Sequence, residues 1–279
     1  MKTGMVFTIG MLIGLILGIS TLYILEKAST PSSLDCLVEA GKFSNPPTEA
    51  EKPRVIVGLD AQYPPFTELL PNGSIVGFDV DVMKQIGGIC GFEPEFKPWD
   101  WATIVEALES GDVDVIASGM TITAERSQRV WFSLPYYTYV HYLVTKAGDD
   151  RDVGEILRSN PRIAVQTGST ADKLVEKFLL RGYRIEKLSL ESYPAALLAV
   201  IEGRAEAGIF DSAFIQPYLK RNPELAAKVR VVGAVGPLQA YGIATRPGDK
   251  WLRYCINKAL EQLMERPEWL ELLKKWNLD

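Results

Sequence analysis

Histidine occurs once in these 279 residues, at His141, and cysteine three times, at Cys36, Cys90 and Cys255. A single histidine leaves no basis for a His-based zinc site or a Ser-His triad. The cysteines lack metal spacing and include no C-x-x-C pair. Neither G-x-x-x-x-G-K-[ST] nor G-x-S-x-G is present, so P-loop and α/β-hydrolase chemistry are not indicated. No dense basic stripe occurs, and the net charge is −5, so a nucleic-acid partner is not expected. The Lys274–Lys275 pair reads as a helix C-terminus. Cys90 and Cys255 read first as buried apolar filler. A disulfide stays open for any chain outside the cytoplasm. No metal or cofactor is expected.

What the chain does contain is a globular composition, 47% hydrophobic and 23% charged. Its length suits one large domain or two ordinary ones. Residues 4–25, GMVFTIGMLIGLILGISTLYIL, form a 22-residue run without a charge. At about 1.5 Å per residue such a helix spans roughly 33 Å, the depth of a bilayer core. The run is long for a signal peptide, and EKAST is not a clean A-x-A cleavage site. Residues 1–27 are therefore read as an uncleaved membrane anchor, with a cleaved signal and a periplasmic or secreted product as the alternative. Both place the rest of the chain outside the cytoplasm. Residues 28–52, rich in Ser, Pro, Thr and charge, read as a tether.

From residue 54 onward, strands and helices alternate. RVIVGLD, the SIV of PNGSIVGF and DVDVIAS have strand character; residues 79–90 and WATIVEALESG have helical spacing. The alternation restarts at PRIAVQTG, followed by STADKLVEKFLL with Ser169 as N-cap, then YRIEKLSL, a helix over 193–203, and EAGIFD. AYGIATRPG is strand-like, and two helices broken at Pro267 close the chain. This is the sign of an α/β layer architecture built from two units in series.

The segment at 120–137, MTITAERSQRVWFSLPYY, carries the chemistry. Thr123 fits an N-cap for the N–H of Arg126, which by itself makes Arg126 an exposed side chain on a capped turn. The segment follows the carboxyl end of a strand, however, where ligands gather in open α/β sheets. A helix N-terminus there offers free N–H groups, and a planar guanidinium can grip a carboxylate bidentately. Arg129 reads as part of a solvated face.

LDAQYPPF, GSIVGFDVDVM, ALESGDVDVIASGMTITAERSQRVWFSLPYY, RIAVQTGST, AGIFD and YGIATRPGDKWLRYCINKALEQL occur in this order. Together they resemble the amino-acid-binding family of extracytoplasmic solute-binding proteins, family 3, the receptors of ABC importers related to glutamine-, histidine- and basic-amino-acid-binding proteins. The T-x-T-x-x-R run followed by F-S-x-P-Y-Y is the most specific piece. The resemblance implies a periplasmic binding protein-like fold of type II: a two-lobed α/β clamshell with two crossover strands. One lobe would be 53–137 plus 242–279 and the other 138–241. It implies a monomer that delivers a free amino acid to the transporter's membrane subunits.

The resemblance also assigns roles. Arg126 would bind the ligand α-carboxylate, helped by Gly119 and Thr121 and, from the second lobe, by Ser169 and Thr170 at a helix N-terminus. Asp211 would take the α-ammonium; in isolation it reads as the N-cap of SAFIQPYLK. Tyr63 and Trp101 would stack on the ligand side chain, although aromatics more often pack in cores. Asp60 and Gln166 would reach that side chain, and Asp79 reads as a structural helix cap. Arg126 against Asp211 is a zwitterion clamp, and Asp60 with the aromatics favours a polar or basic side chain. Two rivals share the fold: an enzyme like cyclohexadienyl dehydratase, and a ligand-sensing protein.

Overall fold

The computed structural model describes residues 52–279. The apolar run at 4–25 and nearly all of the tether lie outside the described residues. Among those described, no helix is long and apolar enough to cross a membrane.

Strand β1 (Arg54–Leu59) opens the first domain and buries Val55, Val57 and Leu59. Two short strands, β2 (Gln62–Tyr63) and β3 (Thr67–Leu69), and then β4 (Ile75–Val76) form a small antiparallel sheet beside it. Helix α1 (Phe78–Cys90) packs Val80, Met83, Ile86 and Cys90 inward and stops at Gly91, whose left-handed backbone returns its N–H to the Gly87 carbonyl. Next come β5 (Glu93–Pro98), α2 (Ile104–Ser110), β6 (Val115–Ile116) and β7 (Trp131–Phe132). Strand β1 lies between β5 and β6 and is parallel to both.

The chain then builds a second sheet. Its members are the ten-residue β8 (Tyr137–Lys146), α3 (Val153–Arg158), β9 (Arg162–Gln166), α4 (Thr170–Leu180), β10 (Glu186–Leu190) and α5 (Tyr193–Ile201). Strand β11 (Ala207–Asp211), α6 (Ser212–Arg221), the short α7 (Pro223–Ala226) and β12 (Val229–Tyr241) complete it. The order is β10-β9-β11-β8-β12, with β9, β10 and β11 parallel and β8 antiparallel to both of its neighbours. The chain finally returns to the first sheet through β13 (Ala244–Thr245), which pairs with β6 and β7 to give the order β5-β1-β6-β13-β7. Helices α8 (Lys250–Met264) and α9 (Pro267–Lys275) follow. The fold is a two-domain α/β arrangement with mixed sheets.

Two expectations need correction. Cys90 and Cys255 are not separate apolar filler; they form a disulfide that joins α1 to α8 across 165 positions of sequence. Asp79 does not cap α1, because the N-cap is Gly77 and no side-chain cap bond forms. By contrast, Ser169 caps α4 by accepting from the Asp172 N–H.

A cross-link that closes so long a loop removes entropy from the unfolded chain, worth about 5 kcal/mol in the loop-closure model and about 2–4 kcal/mol in typical measurements. Replacing both cysteines by serine should lower the thermal midpoint by several degrees. Melting curves with and without dithiothreitol check this, and superimposable curves would show that the cross-link adds nothing.

Candidate functional site

A cavity lies where the carboxyl ends of both sheets meet. It is lined from the first domain by Asp60, Tyr63, Trp101, Ser118, Gly119 and Thr121, and from the second by Gln166, Ser169, Thr170, Tyr193 and Asp211. All the candidate residues except Arg126 therefore line one cavity. Arg126 stands at its edge, in an adjoining groove that also touches Ser169 and Thr170. Its backbone N–H bonds Thr123 Oγ1 at 3.1 Å, the turn expected from sequence. Its guanidinium donates to the Thr121 carbonyl at 3.1 Å and the Gly168 carbonyl at 3.2 Å, and lies over the Trp101 ring. Burial pulls its pKa below the ordinary value, with the nearby Tyr139 and Asp211 acting in the opposite direction.

Asp211 ends β11 and is buried. It stands at the N-cap position of α6 but makes no side-chain cap bond, so its carboxylate is turned elsewhere. Tyr241 donates to Oδ2 at 2.7 Å and Tyr63 at 2.9 Å, while Tyr193 donates to Oδ1 at 2.7 Å. His141 Nε2 lies 3.2 Å from Oδ1. Burial alone would raise this carboxyl, yet His141 and the tyrosine hydroxyls hold it below the usual carboxylate range. Burial, with the same carboxylate adding to it, drives the Tyr63, Tyr193 and Tyr241 phenols well above theirs.

The opposite end of the cavity belongs to Asp60 and Gln166. Asp60 Oδ1 accepts the Gln62 N–H, and Oδ2 accepts Gln166 Nε2 at 2.7 Å across the domains. Gln166 Nε2 also donates to the Glu191 carbonyl. Both amide protons are thus engaged, which leaves Oε1 as an acceptor. Burial raises the Asp60 pKa, and the Gln166 and Gln62 bonds partly offset it. The Trp101 indole N–H is buried without an acceptor among the described residues.

Thr121 Oγ1, Tyr139 Oη and Thr170 Oγ1 form a hydroxyl chain, with contacts of 2.7 and 2.9 Å. Beneath it, Gly119 takes φ +56°, and a Cβ there would stand 2.5 Å from Tyr63 Cε1. The Gly119 N–H is held by Asp79 Oδ2 at 2.6 Å, and the Tyr136 hydroxyl bonds the same oxygen at 3.0 Å. Asp79 Oδ1 has no hydrogen-bond partner among the described residues. Burial pushes this carboxyl up to about 7, against the Gly119 and Tyr136 bonds that lower it.

Sequence reasoning missed Tyr139, Tyr193, Tyr241 and His141. Tyr139, His141 and Tyr241 lie in strands, where an alternating pattern could have marked one face; nothing local pointed to Asp211 as the shared partner.

A two-domain α/β fold with a buried acidic cavity at the strand ends and an arginine at its edge is an architecture found in solute-binding proteins. The chain belongs to the bacterial extracellular solute-binding proteins, family 3, whose model matches residues 55–279. It is 32% identical to a probable histidine-binding protein of Neisseria gonorrhoeae, over 79% of this chain and 81% of that one. It is also 32% identical to an arginine-binding extracellular protein of Bacillus subtilis (strain 168), over 84% and 89%. Among solved structures, an ancestral arginine-binding protein bound to arginine superposes with a TM-score of 0.74 at 35% identity, covering 81% of this chain and 98% of that one. These relatives are named as binding proteins, so the chain is placed with binding proteins and the enzymatic alternative is not favoured.

Two variants test the floor of the site. Gly119→Ala meets both a strained φ and the Tyr63 ring, and should cost about 1–3 kcal/mol in denaturant unfolding. An unchanged midpoint would show that the turn relaxes freely. For Asp79, folding favours the protonated form, since its pKa rises from 3.8 to about 7. The resulting stability is fully present below the unfolded pKa and is lost as pH rises through the folded one. Asp79→Asn should therefore gain stability over the parent near pH 8 and lose that advantage near pH 4, on the order of a few kcal/mol at about 1.4 kcal/mol per pKa unit. Parallel melting curves against pH would refute this.

Proposed function

We propose that the protein captures a free L-amino acid with a cationic side chain outside the cytoplasm and delivers it to the membrane subunits of an ABC importer. The observation that carries this reading is the charge around one cavity. Two buried carboxylates, Asp60 and Asp211, face it, and the Arg126 guanidinium stands at its edge. The α-carboxylate and α-ammonium of an amino acid answer Arg126 and Asp211. Asp60 remains, and a buried carboxylate calls for a cation. Asp60 and Gln166 Oε1 supply acceptors that suit a guanidinium or ammonium, while Trp101 supplies an aromatic face; the Tyr63 ring is already stacked against Phe66 and Phe214, which corrects the stacking part expected of it. The relatives named for histidine and arginine agree with this class.

In this reading Arg126 and Thr121 hold the carboxylate, and Thr170 adds a first-turn N–H of α4; the Gly119 and Ser169 N–H groups are already engaged by Asp79 Oδ2 and the Gln166 carbonyl, which corrects the part expected of them. Residues 53–137 plus 242–279 form one lobe and 138–241 the other, hinged where β8 and β12 run side by side. Contacts across the lobes, such as Asp60 with Gln166 and Tyr63 with Asp211, favour the closed form. A ligand that bonds both lobes adds to them and shifts the population. Residues 1–27 would tether this monomer to the outer face of the cell membrane through the 28–52 segment.

Arg126→Ala should abolish calorimetric binding of L-arginine while leaving circular dichroism unchanged; retained affinity would overturn the carboxylate assignment. Asp60→Asn should weaken L-arginine roughly ten- to hundredfold, the worth of a charged hydrogen bond, and L-glutamine much less. Equal losses for the two would remove Asp60 from side-chain recognition.

A further inference from the structure

The only histidine of the chain lies directly behind the proposed ammonium site. His141 is in β8, whose neighbours in the sheet are β11 and β12. Across one edge it pairs in register with Asp211, and across the other with Val235. Between Val235 and Gln239 the register of β12 shifts. Gly236, at φ +79° in that irregularity, approaches the imidazole: a Cβ built there would lie 3.9 Å from Nδ1. The same irregularity brings Gln239 Nε2 to 2.9 Å from Nδ1.

With the Gln239 amide donating to Nδ1, the neutral ring carries its proton on Nε2. That nitrogen lies 3.2 Å from Asp211 Oδ1 and 3.2 Å from Thr170 Oγ1. One imidazole thus touches both ends of the zwitterion clamp. The charged form is also accommodated. A second proton on Nδ1 needs an acceptor, and Gln239 can supply its oxygen by turning its amide. Although the ring is buried, it lines the groove that also holds Thr170, Pro237 and Gln239, a route for proton exchange.

Each packed element contributes the charges that face this ring. From β11 comes Asp211, itself bonded by Tyr63, Tyr193 and Tyr241. From β8 itself comes Tyr139, edge-on at 5.5 Å. The groove adds Arg126 and Glu125 from the first domain, and Lys173, Glu176 and Lys177 from α4. Strand β12 contributes only the neutral Gln239 here. Among the described residues, Asp211 is the one carboxylate in contact with the ring.

We infer that His141 is a positioning residue that makes amino-acid binding respond to pH, releasing ligand as the medium becomes acid. The inference rests on Asp211 as the ammonium site. While His141 is neutral it orients Asp211 and leaves its charge for the ligand. Once protonated it neutralises Asp211 and sets a cation beside the ligand's own. Histidine is the side-chain type whose charge ordinarily changes between about pH 5 and 8. Proton and ligand compete for one carboxylate, and each must weaken the other equally.

The test is isothermal calorimetry of the full protein with L-arginine from about pH 5 to 8. Affinity should fall about tenfold or more toward acid, the equivalent of one pKa unit of coupling. Binding near pH 6 should release protons, seen as a dependence of the heat on buffer ionisation enthalpy. His141→Gln keeps a donor near the Nε2 position and cannot charge, so whatever its affinity at alkaline pH, that affinity should no longer fall toward acid. His141→Asn is the second variant should the first not fold. Asp79→Asn removes the buried carboxyl that burial pushes up to about 7 and should keep the slope. A slope that survives in His141→Gln, or vanishes in Asp79→Asn, or an absence of proton release in the parent, overturns the inference. Parental affinity in Asp211→Asn would instead overturn the ammonium assignment, a separate result.

Discussion

A carboxylate removed from water must be met by donors or it does not stay charged. Asp211 is that carboxylate here, and much of the architecture around the cavity satisfies it. Three tyrosine hydroxyls and one imidazole converge on its two oxygens. They come from both domains: Tyr63 lies in β2, Tyr193 opens α5, Tyr241 ends β12 and His141 lies in β8. Three of these donors share the second domain with Asp211, and Tyr63, from the small β2–β4 sheet, reaches across from the first. Buried polar networks of this kind stabilise when complete and penalise strongly when one member is lost.

Much of this fold was legible in the sequence because local rules and tertiary packing agree. The β-branched RVIVGL is β1 and RIAVQ is β9; STADKLVEKFLL begins at its serine cap and becomes α4. The break between α8 and α9 sits at Pro267, where a missing N–H and a fixed φ suit a helix start. What failed depended on pairing across long sequence distances. Nothing in the residues near Cys90 points to Cys255. Asp79 looked like a cap because capping is the commonest local use of an aspartate before a helix. Its actual partner, the Gly119 N–H, is forty positions away.

The site shows the same division. Motif resemblance brought together residues that the fold then places on one cavity, with Arg126 at its edge. The second tier escaped notice because its members do not announce a role. A tyrosine in a strand is ordinary core, and Tyr139, Tyr193 and Tyr241 acquire meaning only through the acceptors they share. Asp79 and Gly119 extend the point: a carboxyl with one oxygen unpartnered is held so that a single glycine can turn left-handed beneath Tyr63.

The disulfide has a topological consequence. Cys90 precedes the first strand of the second sheet and Cys255 follows its last, so that whole sheet, from β8 to β12, hangs within one covalent ring. A single cut of the backbone anywhere between them, for instance beside the exposed Leu238 in the irregular part of β12, opens the ring but frees no fragment. The clipped molecule stays in one covalent piece.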